Sequence, residues 1–172
     1  QNNIIKSRYP KFMGWKYLKD NLKKNYDVIF YCDCILYPRY DINWKGWGQH
    51  VLDSKYGIIQ KYHNYNPYSE CDHIVECKKD TKKNMERMKS FLKDNNLPKN
   101  SIMMENGAFG YNPNNEIITS AMNDFWNTYS KHEITYRDQP LWAYFIWKHK
   151  IIPDRYDIFF KDHKNIRLVQ NK

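Results

Sequence analysis

The stretch YDVIFYCDCILYP, running from Tyr26 to Pro38, decides how the rest of the chain is read. Apolar residues fall on both parities, Val28, Ile29, Phe30 and Tyr31 and then Ile35, Leu36 and Tyr37, whereas a half-exposed strand alternates with polar residues. The run therefore predicts a central strand covered on both faces. Its one carboxylate, Asp33, does not sit inside such a strand unless paired, hydrogen-bonded or bound to a cation, so it belongs where the strand leaves the sheet. In an open α/β sheet that place is the crevice at the carboxyl end of the strands, where ligands bind.

On the N-terminal side, Pro10 reads as the first residue of a helix, and Phe12, Trp15, Leu18 and Leu22 recur at helical spacing until about Asn25. Arg8 and Lys11 fall in its first turn, either as solvated charges or as phosphate contacts at a helix N-terminus. On the C-terminal side, PRYDINWKGWGQHVLDSKYG reads as a loop with one helical turn near Gly48 to Asp53. Aromatic loops beside a strand end stack sugars or bases, with Trp47 a candidate, but two tryptophans equally close a core.

Further along, Gly57 to His63 reads as a short strand, and the segment around Asn66 to Cys77 as a loop leading to a helix. That helix is the clearest of all, capped by Asp80 or Thr81, with Met85, Met88, Phe91 and Leu92 as the buried stripe. Ser101 to Tyr111 reads as strand, turn, strand, with Glu105 and Asn106 ahead of Gly107. Two more helices follow, one carrying Ile117, Ile118, Ala121, Met122, Phe125 and Trp126, the other opening at Arg137-Asp138-Gln139. One or two short strands end the sequence. This alternation predicts an α/β sandwich with a mostly parallel sheet.

At 172 residues the chain is one domain by size, and 15 Tyr and 6 Trp make rings its main packing material. A net charge of +9 fits a phosphate-bearing partner, although Lys, Asn, Ile and Tyr are abundant together and all have A/T-rich codons. Cys32, Cys34, Cys71 and Cys77 lack zinc-site spacing, and no Asn-x-Ser/Thr acceptor occurs. A reducing, intracellular setting is expected, the cytoplasm, that of a host if the source is viral. The longest apolar run, residues 141–147, is too short to span a bilayer. Gly-rich phosphate loops, a G-x-S-x-G elbow and a Cys-His nucleophile pair are not found.

The order of features resembles one family. A basic helix start R-x-x-K (Arg8, Lys11) leads to a buried strand ending in Asp33. A Tyr/Ser-x-Glu stretch before a helix, an acid near a glycine turn and a Trp-containing helix follow, and then Arg137-Asp138-Gln139. That order is similar to the TOD1/MUCI70-like glycosyltransferases, once catalogued only as a domain of unknown function, and looks like the N-terminal glycosyltransferase domain of a chlorella-virus enzyme. More distantly it is similar to the glycogenin-like GT-A transferases.

The resemblance implies a GT-A-like three-layer sandwich over a single domain, residues 1–172, and a glycosyltransferase taking a nucleotide-sugar, a UDP-sugar first and a GDP-sugar second, to a glycan or other hydroxyl acceptor. It implies Mn²⁺ or Mg²⁺. Arg8, Lys11 and Arg137 would meet the nucleotide, Asp33 would belong to a metal-binding D-x-D element, and Asp138 and Gln139 would face the transferred sugar or the acceptor. Glu76 and Glu105 would be acids on the acceptor side, and a late histidine, His163 or His149, a further metal ligand.

Three departures accompany it. The D-x-D element reads Asp33-Cys34-Ile35; only about seven residues precede Arg8 where the family carries another strand, so part of the nucleotide-binding strand is expected to be missing; and the Gly14-Trp15 region stands where a histidine commonly follows. The enzymatic reading needs Asp33 and Asp138 on one side of the molecule, with Asp33 outside any internal salt link. The alternatives are a non-catalytic nucleic-acid or polyanion-binding module and a degenerate transferase that only binds glycans. Under the enzymatic reading no nucleic-acid partner and no membrane span are expected, and other domains of a longer polypeptide are open.

Overall fold

The structure, a computed structural model, describes residues 3–131 and 133–156 in full and residues 160–162 by their backbone. Among the described residues, six helices flank a small sheet. In chain order the elements are α1 (Asn3–Asp20), β1 (Ile29–Cys32), β2 (Leu36–Pro38), α2 (Trp44–Asp53), β3 (Ile58–Tyr62), α3 (Pro67–Glu76), α4 (Lys82–Asp94), β4 (Met104–Tyr111), α5 (Glu116–Tyr129), α6 (Asp138–Lys148) and β5 (Phe160–Asp162). None of the described helices is long and apolar enough to cross a membrane.

The sheet corrects the expected architecture. A mostly parallel GT-A-like sandwich is not present: three strands in the order β1-β4-β3 pair antiparallel throughout, and β2 pairs antiparallel with β5 in a separate two-stranded ribbon. Parallel pairing among the described residues is confined to an isolated bridge between Ile59 and Asp154. The helix–strand alternation was a poor guide because Ser101 to Tyr111 forms no hairpin. It is one eight-residue strand, β4, that runs back between β1 and β3 and replaces the crossover a parallel sheet needs.

The run Tyr26 to Pro38 is correspondingly not central. Only Ile29–Cys32 joins the sheet, at its edge, and the chain turns at Asp33 into β2. Its two-faced apolar pattern is nonetheless explained, because two core clusters flank it. Ile29 and Tyr31 pack on the larger cluster, and Val28, Phe30 and Cys32 on a smaller one built on Val51, Ile59, Ala108 and Tyr156.

The larger cluster centres on Phe12, whose ring lies 4.1 Å from that of Phe125, 5.1 Å from Trp142 and 6.1 Å from Phe109. Burying a side chain of this size contributes about 2–3 kcal/mol, so this meeting point fixes how α1, α5, α6 and β4 sit together. Pro10 lies inside α1, which begins about two turns earlier than the proline signal implied and ends at Asp20, well before Asn25.

Two segments read as loops are helices. Asn43 accepts the Gly46 N–H and starts α2, while Asn66 accepts the Tyr68 and Ser69 N–H groups and starts α3 with Pro67 at its first position. The expected helix over Lys82–Asp94 is present, with Thr81 as its cap and Met85, Met88 and Leu92 buried.

Candidate functional site

Because α1 starts at Asn3, Arg8 and Lys11 fall in its second and third turns and not, as expected, in its first, on the face that lies against β1 and α6. Lys11 has only 2 % of its side chain exposed, so its ammonium must find partners inside the protein. It finds two carboxylates. Lys11 Nζ lies 3.1 Å from Asp33 Oδ1 and donates to Asp138 Oδ2 at 3.2 Å, and Arg8 Nε adds a longer contact of 3.6 Å to the same Asp138 oxygen.

Each acid is placed by local backbone. Asp33 follows the last residue of β1; its N–H donates to Gly107 O at 2.7 Å and its carbonyl accepts the Leu36 N–H at 2.9 Å, which makes the turn into β2. Asp138 is the first residue of α6, where a carboxylate suits the positive end of the helix dipole. Arg137 occupies the cap position and makes no capping bond.

Two tyrosines complete the cluster. Tyr31, two residues before Asp33 and so on the same strand face, donates its hydroxyl to Asp33 Oδ1 at 2.7 Å, and the Lys11 ammonium stands 5.3 Å from its ring centre. Tyr129 of α5 donates to Tyr136 O at 2.8 Å beside Arg8. Burial raises both phenols, reinforced at Tyr31 by the bond to Asp33 and at Tyr129 by the charge of Asp138. For Arg8, burial works against the guanidinium, but Asp138 in the first place, then Tyr129 and Asp33, more than restore it.

The cluster is therefore two acids against two bases, with Arg137 beside it. Asp33 keeps 30 % of its side chain exposed against 6 % for Asp138, so Asp33 is the acid a ligand can meet. The Nε atoms of Arg8 and Arg137 are buried without a hydrogen-bond acceptor.

Of the residues expected from sequence, Arg8, Lys11, Asp33 and Asp138 converge, and Arg137 and Gln139 adjoin them on α6. The remaining candidates lie elsewhere. Trp47 sits on α2 against the smaller core cluster, its ring 5.2 Å from that of His50, so here the tryptophans do close a core. Glu76, 74 % exposed, ends α3 with His73 Nδ1 3.9 Å away, and Glu105 on β4 pairs with Lys61 at 3.1 Å. His149 caps the far end of α6, about 16 Å along the helix from Asp138, and contacts Asp124 at 3.0 Å. His163 lies outside the described residues.

The two conditions set for Asp33 come out differently. It does share a side of the molecule with Asp138, but Oδ1 is engaged in an internal salt link to Lys11. That link bears on the metal. A divalent cation at Asp33 would be held against an ammonium 3.1 Å from the carboxylate, and no three His, Cys, Asp or Glu side chains among the described residues converge on a common point. Among the described residues the donors beside Asp33 do not by themselves make a site for Mn²⁺ or Mg²⁺.

Sequence reasoning missed Tyr31 and the polar row behind the cluster. Strand periodicity alone places Tyr31 beside Asp33, since residues two apart share a face. In the row, Trp142 Nε1 donates to Gln60 Oε1 at 3.2 Å, and Gln60 Nε2 donates to Asn106 Oδ1 at 2.9 Å and to Glu105 O at 3.0 Å, all within the core. No sequence signal marks Gln60, which stands between Ile59 and Lys61 in β3.

Compared with known proteins, the chain finds no match among family models, curated sequences or solved structures.

Proposed function

We propose that the Arg8–Lys11–Asp33–Asp138 cluster is the donor site of a glycosyltransferase that takes a nucleotide-sugar and works without a divalent metal. One observation carries the reading: of the residues picked out by resemblance, Asp33 and Asp138 meet one buried ammonium, that of Lys11, at 3.1 and 3.2 Å, and Arg8 lies 3.6 Å from Asp138. The reading draws nothing from the fold, and the salt link to Lys11, which counts against it, leaves Asp33 only Oδ2 to meet a ligand.

The chemistry assigns each group a task. A nucleotide-sugar departs as a diphosphate, so negative charge grows on the leaving oxygen and must be compensated. Arg8, which keeps 24 % of its side chain exposed, and Arg137 beside it supply that compensation. Asp33, through Oδ2, accepts the acceptor hydroxyl's proton or steadies positive charge on the sugar. Lys11 holds both carboxylates in place and keeps them apart.

The test is thermal unfolding with UDP, GDP and their sugar conjugates, with and without Mn²⁺. A ligand at a hundred times its Kd adds about 2.7 kcal/mol, roughly 5–10 °C for a chain of this size. Stabilisation by one conjugate, unaltered by Mn²⁺ and lost in Arg8→Met, supports the reading, as does loss of donor hydrolysis in Asp33→Asn. No shift with any of them, combined with oligonucleotide binding that weakens steeply with salt, transfers the chain to the polyanion-binding class.

A further inference from the structure

The end of α3 brings together three groups that the donor site does not use. His73, Glu76 and Cys77 lie within one helical turn, at spacings of three and four residues, which place side chains on one face. Cys77 Sγ stands 3.4 Å from His73 Nε2 and 3.8 Å from Nδ1, and His73 Nδ1 stands 3.9 Å from Glu76 Oε2. Sequence reading found no Cys-His nucleophile pair; the helix makes one.

We propose that Cys77 is a reactive thiol, activated by His73 and oriented through Glu76, that undergoes exchange with a low-molecular-weight disulfide. The imidazole takes the Sγ proton, and the thiolate attacks one sulfur of the disulfide. The new bond joins Sγ to that sulfur, the old S–S bond breaks, and the departing thiolate recovers the proton from His73. Electrons and protons balance with no further reagent.

Several features favour Cys77 over the other thiols. It is exposed, and the exposed Lys78 and Lys79 that follow it bring positive charge to an anionic thiolate or an anionic disulfide. The Tyr65 ring, 5.0 Å from the His73 ring, limits how far the imidazole swings. The carbonyls ending α3 work against a thiolate at this place, and the positive charges of Lys78 and Lys79 oppose them. Cys71 is fully buried, its thiol pushed up to about 12 by desolvation, and Cys32 is half-buried and also raised by desolvation. Cys34 is exposed and forms no hydrogen bond with a histidine among the described residues, which makes it an internal control.

The experiment follows iodoacetamide labelling of the full chain at neutral pH, resolved by peptide mapping. An ordinary thiol is only a few per cent ionised there, so activation leaves room for about a tenfold advantage of Cys77 over Cys34. His73→Asn is expected to bring Cys77 down to the Cys34 rate, Glu76→Gln to lower it part of the way, and denaturant to make the two equal. Incubation with glutathione disulfide is expected to yield the mixed disulfide at Cys77. Equal rates in the folded chain, an unchanged Cys77 rate in His73→Asn, or an adduct at Cys34 in place of Cys77 overturns the proposal.

Discussion

Lys11 and Asp138, 127 residues apart in the chain, meet at 3.2 Å with 2 % and 6 % of their side chains exposed. Removing Lys11 leaves the buried Asp138 only the longer contact to Arg8 at 3.6 Å, and breaking a buried pair in this way costs up to about 3–5 kcal/mol. Lys11→Met is expected to cost that much, and Lys11→Met with Asp138→Leu less than the two single changes summed. Asp33→Asn, at a more open position, should cost only about 1 kcal/mol. Urea unfolding midpoints with unchanged slopes check all three.

Gln60 connects Trp142 and Asn106 across the core. Gln60→Leu removes three hydrogen bonds and leaves the indole N–H and the Asn106 carbonyl without partners. Each orphan costs about 1–3 kcal/mol, so a loss of about 3 kcal/mol is expected in urea unfolding. A shift in Trp fluorescence should accompany it.

Two glycines should respond to alanine in opposite directions. A Cβ on Gly110 would lie 2.6 Å from Phe30 Cε1 and 3.2 Å from Ile59 Cγ1, so the strands on both sides of β4 would be forced apart. Overpacking of this kind costs about 1–3 kcal/mol. Around Gly48, inside α2, a Cβ meets nothing within 4 Å, so Gly48→Ala should gain about 0.5–1 kcal/mol from helix propensity. Thermal unfolding separates the two.

Asp80 supplies a pH signature. Burial pushes its carboxyl up, but bonds from Thr135 Oγ1 at 2.8 Å, Asn84 Nδ2 and the Thr81 N–H outweigh that and hold it below the ordinary aspartate value. A carboxyl lowered on folding stabilises fully above its unfolded pKa, and this is lost as the pH falls through the folded one. Stability should therefore decline over the acid range below about pH 4, the ordinary aspartate value, and Thr135→Val should flatten that part of the curve. Urea unfolding at a series of pH values measures it.

Legibility in the sequence followed the physics of each signal. The helix over Lys82–Asp94 could be read because its cap, stripe and stop agree with one another. Two-faced burial of β1 could also be read, but apolar parity reports only that both faces are covered, and a neighbouring cluster covers a face as well as a helix layer does. Glycine misled the reading of β4. Gly107 and Gly110 look like turn residues, yet Gly110 is small because the Phe30 ring lies over it. Helices α2 and α3 were hidden because their asparagine caps also serve as turn formers. Motif order singled out Arg8, Lys11, Asp33 and Asp138, and the fold brings those four together. The salt link that joins them was not legible, since no spacing reveals that an ammonium will stand between two acids.

The distance along the chain between Lys11 and its second acid also governs when the protein can form. A ribosome releases α1 long before α6 has been made, and until then the lysine has no carboxylate from Asp138 to justify leaving water. Until α6 has been made, α1 can dock with only the Asp33 carboxylate against its buried lysine. Arrival of α6, and not the appearance of α1, supplies the second carboxylate that lets the ammonium leave water.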